Sequence, residues 1–165
     1  MLFRSDTFYG LASNSPAERS ESAQALLGHC LLGTDANIKD ASYAFQRLLN
    51  GLCSGRAAAR QGYASVFTSF LKIAWEKGVM KQIQVDAADG SSSLLSFIRN
   101  RLLMTSDANQ AEAGKFGKKK GSEERDYLFG RLFGTLAVVR SGLLVPGKDT
   151  DTEELQSVLS GFGVQ

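Results

Sequence analysis

Several things are scarce in this chain. Proline occurs twice in 165 residues, at Pro16 and Pro146, which suits long helices because proline removes a backbone donor and clashes with the preceding turn. Histidine occurs once, at His29, so no Ser-His-Asp or Cys-His arrangement can be built around any other imidazole. With no second histidine or acidic partner in register, His29 reads as a surface or helix-end residue. Cysteine occurs twice, and Cys30 and Cys53 lack metal-ligand spacing. Both fall among apolar helical residues, the setting of reduced, buried thiols. No run long enough to span a bilayer is free of charged or clustered polar residues, so no transmembrane span is expected. The N-terminus lacks the basic region and long apolar core of a secretory signal.

Single-sign charge is also lacking. Net charge is +2, from 19 basic and 17 acidic residues, so charge alone indicates neither nucleic acid nor membrane. The positive excess sits in residues 61–121. No GxSxG occurs. Gly147-Lys148 has neither the earlier glycine nor the following hydroxyl of a phosphate loop. Asp149 and Asp151 read as helix-start acids rather than a metal pair, and Asp86 and Asp89 have no further ligands beside them. No catalytic residue, cofactor site, metal site or small-molecule substrate is expected.

What is present is apolar periodicity at helical spacing. Residues 2–12 form a short helix. Ser15-Pro16-Ala17-Glu18 then starts a second, with Ser15 as cap, Pro16 in the first turn and Glu18 completing a capping box. Ala23, Leu27, Cys30 and Leu31 mark its buried face, and Gly33 its end. Asp40 caps the next helix, whose buried face is Ala41, Ala44, Phe45, Leu48, Leu49 and Leu52. After a tight connection at Ser54-Gly55, with Ser54 as cap, a long helix buries Ala59, Gly62, Tyr63, Val66, Phe67, Phe70, Leu71 and Ala74. Arg56, Arg60, Thr68, Lys72 and Glu76 lie on its other side. A connection this short between amphipathic helices makes an antiparallel hairpin, the unit of helical repeats.

Within residues 79–89 the run KQIQV alternates polar and apolar, as a short strand or an extended loop; with no partner strand in sight, the loop reading is preferred. Residues 94–104 are a further helix. Residues 105–121 are polar and form a surface loop, with Lys115, Lys118, Lys119 and Lys120 either solvated or contacting RNA or an import factor. Residues 123–144 are apolar nearly all round and are expected to form the central buried helix. Leu128, Phe129, Leu132, Phe133, Leu136 and Val139 make its main stripe. Gly130 and Gly134 allow another helix to approach closely, and Arg131 is expected to pair with a carboxylate. A last capping-box pattern at Thr150 precedes a helix with a narrow apolar face, as if the chain were the start of something longer. Arg47, Arg56 and Arg60 lie on neighbouring helices. They either pair internally or present a ridge to phosphate or an acidic partner.

Three stretches, FYGLASNSPAERSESAQALLGHCLL, AFQRLLNGLCSGRAAARQGY and EERDYLFGRLFGTLAVVRSGLL, resemble the N-terminal region of the DNA polymerase phi family. ERDYLFGRLFG followed by RSGLL is the most specific part. The resemblance implies an all-α fold of armadillo/HEAT-like hairpins across residues 1–165. It also implies a nuclear, mainly nucleolar scaffold in ribosomal RNA production and transcriptional regulation. Its partners would be rDNA or pre-rRNA, nucleolar proteins or transcription factors. It implies no catalytic residues. A DNA polymerase, as the family name suggests, or an inactive truncated paralogue are the alternatives.

Overall fold

A computed structural model describes residues 6–33, 37–84 and 120–143, with Leu94, Phe97 and Ile98; in the last helix the described side chains begin at Arg125. The helix expected over residues 94–104 lies mostly outside the described residues, as do the loop over 105–119 and the segment after Leu143. The described regular elements are all helical. They are α1 (Asp6–Leu11), α2 (Pro16–Leu27), a π-helical turn (Gly28–Leu32), α3 (Ile38–Gly51), α4 (Ala57–Glu76), a 3-10 turn (Met80–Gln82) and α5 (Lys120–Ser141).

Capping decides where several of these begin. Ser15 caps α2 by accepting the Glu18 N–H at 3.4 Å, with Pro16 in the first turn. The reciprocal half of the expected capping box is replaced. Ser13 Oγ accepts the Ser15 N–H at 3.0 Å and donates to the Glu18 carboxylate, so a hydroxyl stands between the acid and the backbone donor it was expected to reach. The cap of α3 is Asn37, whose side-chain oxygen accepts the Lys39 N–H at 3.0 Å. Asp40, expected as that cap, sits in the first turn instead. There its charge suits the positive helix end. Ser54 gives no helix cap to α4; its hydroxyl accepts the Arg56 N–H at 3.3 Å and shapes the connection.

The α3–α4 hairpin forms as the periodicity indicates. Ala41, Ala44, Phe45, Leu48, Leu49 and Leu52 are all buried. On α4, Val66, Phe67, Phe70, Leu71 and Ala74 are buried with them, while Tyr63 is half-buried. Phe45 is the hub, 5.6 Å from the Phe67 ring and 6.2 Å from Phe70, with Phe97 at 6.3 Å. Burying one such ring stabilises the fold by roughly 1.5–3 kcal/mol.

A left-handed Gly78 (φ +67°) ends α4. The Val79 N–H reaches the Ala74 carbonyl at 3.0 Å and the Gly78 N–H reaches Trp75 at 2.9 Å, which satisfies two carbonyls the helix end leaves free. The chain then runs back along α3, where the Gln84 N–H donates to Ser42 Oγ at 2.9 Å and Ile83 is buried. Over residues 79–84 this is a turn and extended chain, in keeping with a loop.

The centre of the molecule is α4, with α1, α2, α3 and α5 all packed on it. Residues 123–144 were expected in that place. Instead α5 lies against α4 and the edge of α3, and it uses its small residues to do so. Gly130, Gly134, Ala137, Val138 and Ser141 are buried, whereas Leu128, Leu132, Leu136 and Val139 are 57, 63, 42 and 53% exposed. A Cβ on Gly130 would run into the Cys53 thiol and stand 3.5 Å from the Cys53 Cα. The close approach expected at the glycine pair therefore exists at Gly130, and it fixes which face of α5 turns inward. The row of large side chains lies opposite.

Candidate partner-binding surface

The exposed row on α5 recurs at steps of four, four and three residues, which places Leu128, Leu132, Leu136 and Val139 on one face of a helix. Arg131 and Arg140 fall on its two flanks, and Arg125, exposed, lies at its N-terminal end. Among the described side chains of α5 the one carboxylate is Asp126, which is only 15% exposed and points at Gly55. Arg131 was expected to pair with a carboxylate from another helix. It is half-buried, and among the described residues it forms no ion pair.

Beside Leu136 a cavity of about 630 Å³ opens between α2 and α5, over α4. Its floor includes Gly62, Val66 and Ala137, and Phe133 and Leu136 form an apolar wall. Arg19 and Arg140 line it with polar side chains such as Ser65, and among the described residues no carboxylate lines it. Arg19 is held in place by the carbonyls of Ser13 (2.9 Å) and Asn14 (3.1 Å) and by Gln61 Oε1 at 3.4 Å. The hydroxyl of Ser69 donates to the Ser65 carbonyl at 3.3 Å. These groups make a groove lined by arginine, hydroxyl and apolar side chains.

The basic residues singled out from the sequence do not form one ridge. Arg47 is exposed and stacks 5.1 Å from the centroid of the buried Phe8 ring. Arg56 is exposed at the start of α4. Arg60, placed by the pattern on the non-core edge, is instead 9% exposed. Its guanidinium donates to the Ser54 carbonyl at 2.6 Å and lies 4.2 Å from the centroid of the Phe129 ring. The reason is that α5 covers this end of α4, which no pattern within α4 reveals. Lys118 and Lys119 are outside the described residues, and of Lys120 the backbone alone is described, as the first residue of α5.

His29 does have an acidic partner. Its Nε2 lies 2.8 Å from Asp40 Oδ2, across the turn from the π-helical segment to α3. Both side chains keep about a third of their surface in water, so the pair is a surface tie. Cys30 is buried, and loss of water pushes its thiol up to about 12, with the Asp40 charge adding to the rise. A thiol so raised is neither nucleophile nor ligand at neutral pH. Among the described residues no cluster of His, Cys, Asp and Glu could hold a metal ion. None of their helices is long and apolar enough to cross a membrane.

What the sequence missed is the row on α5 as a surface. A signal was present. Arg131 and Arg140 bracket the leucine row on its two flanks, and the small residues at 130, 134, 137 and 141 trace the opposite side, where backbones can meet.

These features define, over the described residues, an all-α module with exposed apolar and basic surfaces. The model of the family described as DNA polymerase phi matches residues 43–162, and the chain belongs to that family. It is 30% identical over 154 residues to the rDNA transcriptional regulator pol5 of Schizosaccharomyces pombe, covering 93% of this chain and 13% of that protein. It is 31% identical over 140 residues to the rDNA transcriptional regulator POL5 of Saccharomyces cerevisiae, covering 84% of this chain and 13% of that protein. The chain thus spans about an eighth of the length of these relatives. No solved structure matches it significantly.

Proposed function

We propose that this chain acts in the regulation of rDNA transcription, in the nucleus and nucleolus, as part of a non-catalytic scaffold of armadillo/HEAT-like helical hairpins. The observation that carries this reading is that both relatives, aligned over most of the chain, are rDNA transcriptional regulators. The α3–α4 hairpin and the exposed row of α5 support contact rather than catalysis as the mode of action. On this reading the module meets rDNA, pre-rRNA, nucleolar proteins or transcription factors. Arg47, Arg56, Lys118, Lys119 and Lys120 are the proposed contacts to phosphate, and Arg60 serves inside the fold.

Depleting the protein and pulse-labelling nascent ribosomal RNA tests the role. Precursor synthesis falls and returns when the protein is restored; unchanged labelling contradicts the proposal. The family's description leaves a polymerase as the second reading. Metal-dependent, template-directed primer extension by the purified protein would establish that reading in place of the scaffold.

A further inference from the structure

We propose that the solvent face of α5 docks an acidic amphipathic helix supplied by a partner protein. The inference deepens the scaffold reading and rests on it for one thing, that the module works by docking. Three observations fix the chemistry of the occupant. First, Leu128, Leu132, Leu136 and Val139 are 42–63% exposed in one unbroken row. The row extends over three helical turns, about 16 Å at 1.5 Å per residue. A row of this length matches the leucines of a facing helix at three-and-four spacing.

Second, among the described residues the charges on the two flanks of the row are both positive. Arg131 and Arg140 flank it, and Arg125 stands at its end with its Nε 4.0 Å from the Asp126 carboxylate, which is 15% exposed. A second copy of this chain would set arginine against arginine in either orientation, so the face disfavours self-pairing. Glutamates on both flanks of a partner's leucine row would meet these guanidiniums. Third, the cavity of about 630 Å³ beside Leu136 has Arg19 and Arg140 in its lining and, among the described residues, no carboxylate. It has room for a large apolar side chain with an acid next to it. A nucleic-acid backbone would satisfy the arginines and leave the leucines in water, which is why a peptide is the better fit.

The probe is a synthetic helix of about three heptads, with leucines on one face, glutamates on both flanks and a fluorophore at one end. It is titrated with the whole chain and followed by anisotropy. Saturable binding in the micromolar range, on the order of 1–50 μM, is expected. Leu132→Ser and Arg131→Glu each weaken it about tenfold or more, while both variants keep the parent melting temperature because the two side chains are not in the core. Replacing the peptide's glutamates by glutamine weakens binding about fivefold, within the range of exposed charge pairs, and added salt does the same.

The proposal is overturned if the peptide does not bind, or if the glutamine peptide binds as well as the acidic one. It is also overturned if the chain dimerises through Leu132, or if a duplex oligonucleotide binds and is lost in the same two variants while the peptide is not. None of these readouts involves ribosomal RNA, so loss of the transcriptional role and loss of the docking face are separable results.

Discussion

The guanidinium carbon of Arg60 on α4 lies 4.2 Å from the centroid of the Phe129 ring on α5. This contact joins the two helices at the end where the α3–α4 connection enters, and the same arginine holds the Ser54 carbonyl at 2.6 Å. A charge this well covered is tolerated because an aromatic face and a carbonyl replace part of its water. Arg60→Ala is expected to destabilise the chain by about 2–3 kcal/mol, the sum of a charged hydrogen bond and a partly desolvated cation–π contact. A double-mutant cycle with Phe129→Leu isolates the ring contact, with a coupling of about 1 kcal/mol. Additive urea melts would show that the stacking contributes nothing.

Gly130 faces Cys53 so closely that a methyl group there would collide with the thiol. Within an ordinary helix, Gly→Ala gains about 1 kcal/mol. Here Gly130→Ala is expected to cost about 1–3 kcal/mol through overpacking. Adding Cys53→Ala removes the sulfur and restores most of the loss. If Gly130→Ala alone raises the melting temperature, α5 does not seat against the α3–α4 connection.

Burial holds the Cys30 thiol protonated, with its pKa raised from 9.0 to about 12. The folded state therefore favours the neutral thiol, and the unfolded chain ionises first. The stabilisation is complete below pH 9 and is lost as pH rises from 9 towards 12, at a limiting rate of about 1.4 kcal/mol per pH unit. Tyr63, raised by burial and donating to the Phe8 carbonyl at 3.1 Å, acts in the same direction above the ordinary tyrosine value of 10.0. Urea melts at pH 8 and pH 10.5 test this. The parent chain loses stability between the two, and Cys30→Ala loses less. Equal losses would assign the alkaline sensitivity to other groups.

The His29–Asp40 contact spans 2.8 Å with both side chains partly in water. Pairs of this kind contribute about 0.2–1 kcal/mol. Asp40→Asn is expected to lower stability within that range. A loss of several kcal/mol would mean that Asp40 supports more than this tie.

The α3–α4 hairpin was legible because each of its helices carries its own answer. Phe45, Leu48, Leu49, Phe67 and Phe70 repeat at helical spacing and are all buried. The features that were not legible depend on a second element arriving from far along the chain. Arg60 looks like a surface residue until Phe129 covers it. His29 looks unpartnered until the turn after Gly33 returns Asp40 to it. For α5 the difficulty was chemical. Large apolar residues on one side and small ones on the other both count as apolar in a periodicity, and burial area alone favours the large ones. Close packing favours the small ones, because glycine and alanine let two backbones approach and gain contacts along the whole seam. The two arginines on the leucine flank were the residues that distinguished these outcomes.

The orientation of α5 is the point on which the binding surface depends, and parallel thermal melts of Leu132→Ser and Ala137→Leu test it most directly. Leu132 is 63% exposed and Ala137 is 1% exposed. Leu132→Ser is expected to leave stability within about 0.5 kcal/mol of the parent, and Ala137→Leu to cost about 1–3 kcal/mol by overpacking the seam with α4. The reverse pattern, with Leu132→Ser strongly destabilising and Ala137→Leu harmless, would place the leucine row in the core and contradict the account.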